Sequence, residues 1–112
     1  MSITNKSSKS SLRAPKPRGV HLSSLEDALL SLSDRDEVLR FLNDVCTPGE
    51  IDALRQRWAL AQMLNAEMPQ REAAKRASAS IATVTRVARC LQHERHHGYR
   101  IVLDRLNPKS RA

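Results

Sequence analysis

The sequence predicts an all-α fold of six helices in one domain. No stretch alternates Val, Ile or Thr with polar residues, so no strand is supported. Apolar residues recur instead at helical spacing in several short blocks. Helix-start residues, Ser, Thr, Asp or Pro, stand before most of those blocks. A chain of 112 residues has room for one such domain.

The first helix spans about Ser24 to Ser31, with Leu25, Ala28, Leu29 and Leu32 on one side. The second begins at the capping pattern Ser33-Asp34-Arg35-Asp36 and carries Val38, Leu39, Leu42 and Val45. The third has the strongest start in the chain. Thr47 is the N-cap, Pro48 takes the first helical position, and Glu50 is placed to close a capping box. It continues through Ile51, Leu54, Trp58, Ala61 and Leu64 to about Ala66. Pro69 opens the fourth helix and Ser80 caps the fifth. Gly98 punctuates the chain before a sixth helix, Tyr99 to Leu106, which Asn107-Pro108 ends.

The fourth and fifth helices, within about residues 69–91, read as a DNA-binding helix-turn-helix. Ala73, Ala74 and Ala77 give the first of them a small inner face, which lets two helices cross closely. Ile81, Val84, Val87, Ala88 and Leu91 form an apolar stripe on the second. Ala82, Arg86 and Arg89 lie opposite that stripe, with Thr83 and Thr85 at its edges. Such a helix suits the major groove, small residues approaching base edges and cations reaching phosphates. On this reading Ile81, Ala82, Thr83 and Thr85 face bases, and Gln70, Arg71 and Lys75 meet phosphate or flanking bases. The turn Ser78-Ala79-Ser80 has no glycine, so a serine must take any left-handed position, at some cost.

Charge is divided along the chain. Residues 1–22 carry five Lys and Arg and no acid, net +5. Residues 23–68 carry four Arg against nine acids, net −5, and residues 69–112 carry ten Lys and Arg against three acids, net +7. A basic surface concentrated on the reader is the electrostatic footprint of a nucleic-acid binder. Residues 1–22, rich in Ser, Lys and Pro, read as a disordered basic arm ahead of a helical domain at 23–112. No apolar run follows those charges, so the arm is not read as a signal peptide. No segment approaches the roughly 20 apolar residues of a membrane span, so no membrane partner is expected. Cys46 and Cys90 without secretory signals read as reduced thiols in the cytoplasm. One Phe, one Trp and one Tyr make a small core that oligomerisation would complete.

No arrangement of Ser, His and Asp or of paired carboxylates stands at motif spacing, and three glycines cannot build a phosphate loop. An enzyme is not expected. Cys90, His93, His96 and His97 have spacings that a metal site could use, but cationic side chains are ordinary at a helix C-terminus, so no metal is assigned.

Several blocks, in order, carry a resemblance: Thr47-Pro48-x-Glu50, Ala53-Leu54, Arg57, Glu67-Met68-x-Gln70-Arg71-Glu72 and Ile81-Ala82-Thr83-Val84-Thr85-Arg86. Over about residues 24–106 the chain resembles the tryptophan repressor family. Arg86-Val87-Ala88-Arg89-Cys90-Leu91, then Gly98-Tyr99 and Val102-Leu103-Asp104-Arg105-Leu106, look closer to its TrpR-like YerC/YecD branch. The resemblance implies an intertwined homodimer, its core made by the first three helices and the last. It implies a transcriptional regulator, a repressor, on a near-palindromic operator in double-stranded DNA. It also implies an effector site for L-tryptophan, with Thr47, Arg57 and Arg86 at the matching positions. Val87 stands where the family has a glycine, and Cys90 where it has a serine. Valine fills space a ring would need, and a thiol is a weak hydrogen-bond partner. Regulation without a small effector is therefore favoured over L-tryptophan or another ligand. Nonspecific nucleic-acid binding and a protein-interaction adaptor are the rival functions.

Overall fold

The computed structural model describes residues 21–93 and 95–108. The basic arm assigned to residues 1–22 therefore lies almost wholly outside the described residues. Six helices follow in order: α1 Leu25–Leu30, α2 Arg35–Val45, α3 Pro48–Asn65, α4 Gln70–Ala77, α5 Ile81–Gln92 and α6 Gly98–Leu106. Among the described residues there is no strand. The chain divides into two compact units, one ending at Leu39 and the other starting at Arg40.

The first unit holds α1 and the opening turns of α2. Ser24 caps α1, its hydroxyl accepting from the Asp27 N–H at 3.0 Å. Asp34 caps α2 through the Glu37 N–H at 2.9 Å, and the Glu37 carboxylate reaches back to the Ser33 N–H at 2.7 Å. Neither helix buries a residue. Leu25, Leu29, Leu30, Val38 and Leu39 are all exposed, Leu30 at 83%. Local hydrogen bonds cap these helices, and their apolar burial is only partial, at Ala28, Leu32, Phe41 and Leu42.

In the second unit α3 is the platform. Its capping box is closed: the Thr47 hydroxyl accepts from the Glu50 N–H at 3.1 Å and the Glu50 carboxylate accepts from the Thr47 N–H at 2.8 Å. Such a cap is worth about 1 kcal/mol. The helix ends where Glu67 turns left-handed, φ 66°, and the Met68 N–H reaches back to the Met63 carbonyl at 3.1 Å. Leu60 and Ala61 of α3, Ala73 and Ala74 of α4, and Val84 and Val87 of α5 form the buried core. Trp58, Met63, Leu64, Leu91 and Tyr99 pack around it half-buried. In α6, Leu103 is buried, and the Arg100 guanidinium ties the helix to α3 by donating to the side-chain Oδ1 of Asn65 at 2.9 Å. Val45, Leu54, Ile101, Val102 and Leu106 stay exposed.

Two expectations are corrected. Gly98 does not punctuate: it is the first residue of α6, and His97 before it takes the left-handed conformation, φ 58°. Ile81 leaves the apolar stripe of α5, being 56% exposed, because its position at the helix start falls beyond the reach of the core on α3 and α4.

Candidate nucleic-acid interface

The small inner face of α4 is what brings it close. Ala73 is fully buried and Ala74 nearly so, and side chains of one carbon let the α4 backbone lie against α3 and α5. The turn after α4 is stopped by Ser78 in the left-handed region, φ 53° and ψ 44°. The Ala79 N–H donates to the Ala74 carbonyl at 2.9 Å, the long-range bond of a Schellman-type stop. A serine held there costs about 1 kcal/mol relative to glycine. The Gln56 side chain, projecting from α3, offsets that cost. Its amide nitrogen donates to the Ala77 carbonyl at 3.1 Å and to the Ser78 carbonyl at 3.0 Å. The chain then re-enters helix at Ser80, whose hydroxyl accepts from the Thr83 N–H at 3.1 Å.

On α5, Val84, Val87 and Ala88 are buried, which turns the opposite face outward. Ile81, Ala82, Thr85, Arg86 and Arg89 are exposed there. Thr83 is half-buried, and its hydroxyl lies 3.0 Å from that of Ser80. On α4, Gln70, Arg71 and Lys75 are exposed, with Arg71 and Lys75 four residues apart on one face. Arg76 instead pairs with Glu72 at 3.0 Å, an exposed contact of small energetic weight. Arg71, Lys75 and Arg89 are exposed, and among the described residues no ion pair holds them.

A cleft of about 530 Å³ lies between α3, one face of α5 and the start of α6. Arg57 and Arg86 both border it, with Leu54, Trp58, Ala82, Thr83, Val87, Cys90 and Tyr99. Arg57 and Arg86 are thus brought together. Thr47, the third residue expected of an effector site, is not among the lining residues. It caps α3 ten residues before Arg57, roughly 15 Å along the helix. Tyr99 is the cleft residue that sequence reasoning missed. Burial raises its phenol above the ordinary tyrosine value and Cys90 adds to that, while Arg57 and Arg86 act in the opposite direction. The only sequence signal for it was a half-polar ring at the start of an apolar helix. Gln56 was missed for a similar reason, since a lone amide in a helix reads as solvent-facing.

Cys46 and Cys90 are free thiols. No helix among the described residues is long and apolar enough to cross a membrane.

The Trp repressor protein family matches residues 20–107. The uncharacterised YerC protein of Bacillus subtilis (strain 168) is 38% identical over 95 residues, which are 85% of this chain and 90% of that protein. A TrpR-like protein from Eubacterium eligens ATCC 27750 has a crystal structure that superposes with a TM-score of 0.69. It is 43% identical and spans 73% of this chain and 84% of its own. A candidate Trp repressor from Staphylococcus aureus gives a TM-score of 0.69 at 38% identity, over 74% of this chain and 82% of its own. With its six helices, its alanine-faced α4 and a family match across nearly all described residues, the chain belongs to the Trp repressor family, a family of DNA-binding regulators.

Proposed function

We propose that the chain is a sequence-specific double-stranded DNA-binding regulator of transcription, a repressor, acting as a homodimer in the cytoplasm. One observation carries this reading. The buried face of α5 turns Ile81, Ala82, Thr85, Arg86 and Arg89 outward, and α4 adds the exposed Arg71 and Lys75. Small and hydroxyl side chains are the ones that approach base edges, and the flanking cations suit phosphates. The five cations of residues 1–22 add sequence-independent affinity. Selection from random duplex DNA tests the proposal: an enriched near-palindrome with half-sites about 10 base pairs apart supports it. Recovery of unenriched sequence would leave only nonspecific binding.

The second copy follows from what one copy leaves uncovered. Leu25, Leu29, Leu30, Val38 and Leu39 of the first unit are exposed, as are Val45, Leu54, Ile101, Val102 and Leu106 of the second. Side chains of this size are destabilising in water and a partner chain removes them from it.

The cleft favours a second reading for regulation. Arg57 and Arg86 at its edge would attract a small anion. For L-tryptophan the lining is less suitable, because Val87 takes ring space, Cys90 replaces a hydroxyl, and Thr47 is engaged in the α3 cap. The reader is therefore proposed to bind DNA without L-tryptophan. Isothermal titration with L-tryptophan, followed by DNA binding at saturation, decides this. A tenfold gain in affinity, about 1.4 kcal/mol of coupling, would establish the effector instead.

A further inference from the structure

We infer that Gln56 is the positioning residue that aims the reading helix, an inference that rests on the DNA-reading proposal above. α3 is anchored in the core, with Leu60 and Ala61 fully buried. Gln56 sits on that helix, and its two amide protons reach the last carbonyls before the turn, those of Ala77 and Ser78, 21 and 22 residues away. Those carbonyls lie beyond the last α4 bonds and have no helical donor of their own. Two residues beyond Ser78, Ser80 caps the reader. The direction in which α5 leaves the turn is set by the Ser78 dihedrals, and serine at φ 53° does not hold them unaided. Gln56 holds them by bonding both carbonyls from a fixed helix.

The chemistry of the amide is specific. Glutamate has the same shape but offers only acceptors to two carbonyl oxygens, so Gln56→Glu replaces attraction by repulsion. Alanine simply releases the turn. Either change lets Ser78 relax towards ordinary backbone and swings the start of α5. Phosphate contacts made by Arg71 and Lys75 on α4 do not depend on that swing, whereas base contacts at the start of α5 do. The distinguishing signature is loss of sequence discrimination with nonspecific affinity retained.

The test uses the full chain as wild type, Q56E, Q56A and Q56A combined with S78G. Three quantities are read: thermal unfolding, amide exchange at Ala79, and the ratio of affinities for the selected duplex over a scrambled one at fixed salt. In Q56E and Q56A, exchange at Ala79 should accelerate about tenfold and the ratio should fall about tenfold, the scale of one or two hydrogen bonds. Affinity for the scrambled duplex should stay within about twofold. Adding S78G to Q56A should recover part of the lost ratio, because glycine takes the left-handed conformation without a clamp. An unchanged ratio in Q56E, a parallel loss on both duplexes, or no recovery with S78G each overturns the positioning role. A wild-type ratio of one overturns the DNA reading instead. Ala79 exchange then still decides the clamp: acceleration in Q56E upholds it and unaltered exchange removes it.

Discussion

The hydroxyl of Thr83 lies 3.0 Å from the hydroxyl of Ser80, the residue that caps the reading helix. The two share one proton-donating contact at the point where α5 begins, and Thr83 also borders the cleft. A side chain expected to read bases is therefore part of the cap that holds its own helix start.

Thr83→Val should consequently act in two ways. Valine keeps the shape but drops the hydroxyl, so stability should fall by only about 0.5–1 kcal/mol, since Ser80 still accepts from the backbone at position 83. Base preference should shift by roughly 1–3 kcal/mol at the affected position. Repeating the duplex selection with the variant checks this. An unchanged preference with lost stability would assign Thr83 to the cap alone.

Lys75→Ala should weaken binding to all duplexes alike. Lys75 is exposed on α4 and forms no ion pair among the described residues. Loss of one phosphate contact lowers the slope of log affinity against log salt by about 0.9. Titrations at several salt concentrations measure the slope, and a change confined to one duplex would place Lys75 on a base.

Tyr99 should titrate above its ordinary value of 10.0, because burial disfavours phenolate. The chain has one tyrosine, so phenolate absorbance reports this residue alone. The linkage sign follows from the raised folded value. The neutral phenol contributes stability that is complete below pH 10 and is lost as pH rises through the folded value. A midpoint below 10 would mean that Arg57 and Arg86 outweigh burial.

Gly98→Ala should stabilise the fold by roughly 0.5 kcal/mol. Gly98 is helical, and a Cβ there would meet nothing within 4 Å. Alanine then only restricts the unfolded chain. Thermal unfolding at constant protein concentration is the measurement, and destabilisation would show that α6 starts in another conformation.

Unfolding should depend on protein concentration. Exposed leucines and valines on α1, α2 and α6 are what association would cover, so the dimer and the fold are linked. Each tenfold dilution should lower the midpoint, and sedimentation at micromolar concentration should give twice the mass of one chain. A stable folded monomer would remove the second copy from the proposal.

Much of the fold could be read locally. The Thr47–Glu50 box, the Ser80 cap and the alanines of α4 are signals that lie within a few residues of the element they specify, and helix order followed from them. Ser78 in left-handed backbone followed from the absence of glycine in a turn that needs it. What escaped depends on distance along the chain. Tyr99 and Arg57 line one cleft from 42 positions apart and Gln56 bonds Ser78 across 22, and no periodicity records either. His97 escaped because the neighbouring glycine was the stronger local signal, although only the actual backbone path decides which of two adjacent residues turns left-handed. Ile81 fitted the apolar period, but period marks a face and not how far the core extends along it.

α1 and α2, of six and eleven residues, have no fully buried residue, while the core is assembled from residues 60–87. Helices this short are marginal alone in water. During synthesis α1 and α2 leave the ribosome ahead of every side chain in that core. Short helices with no buried residue are not expected to persist on a nascent chain by themselves. Amide exchange followed during refolding should therefore show the core of residues 60–87 protected before α1, the reverse of the order in which the two are synthesised.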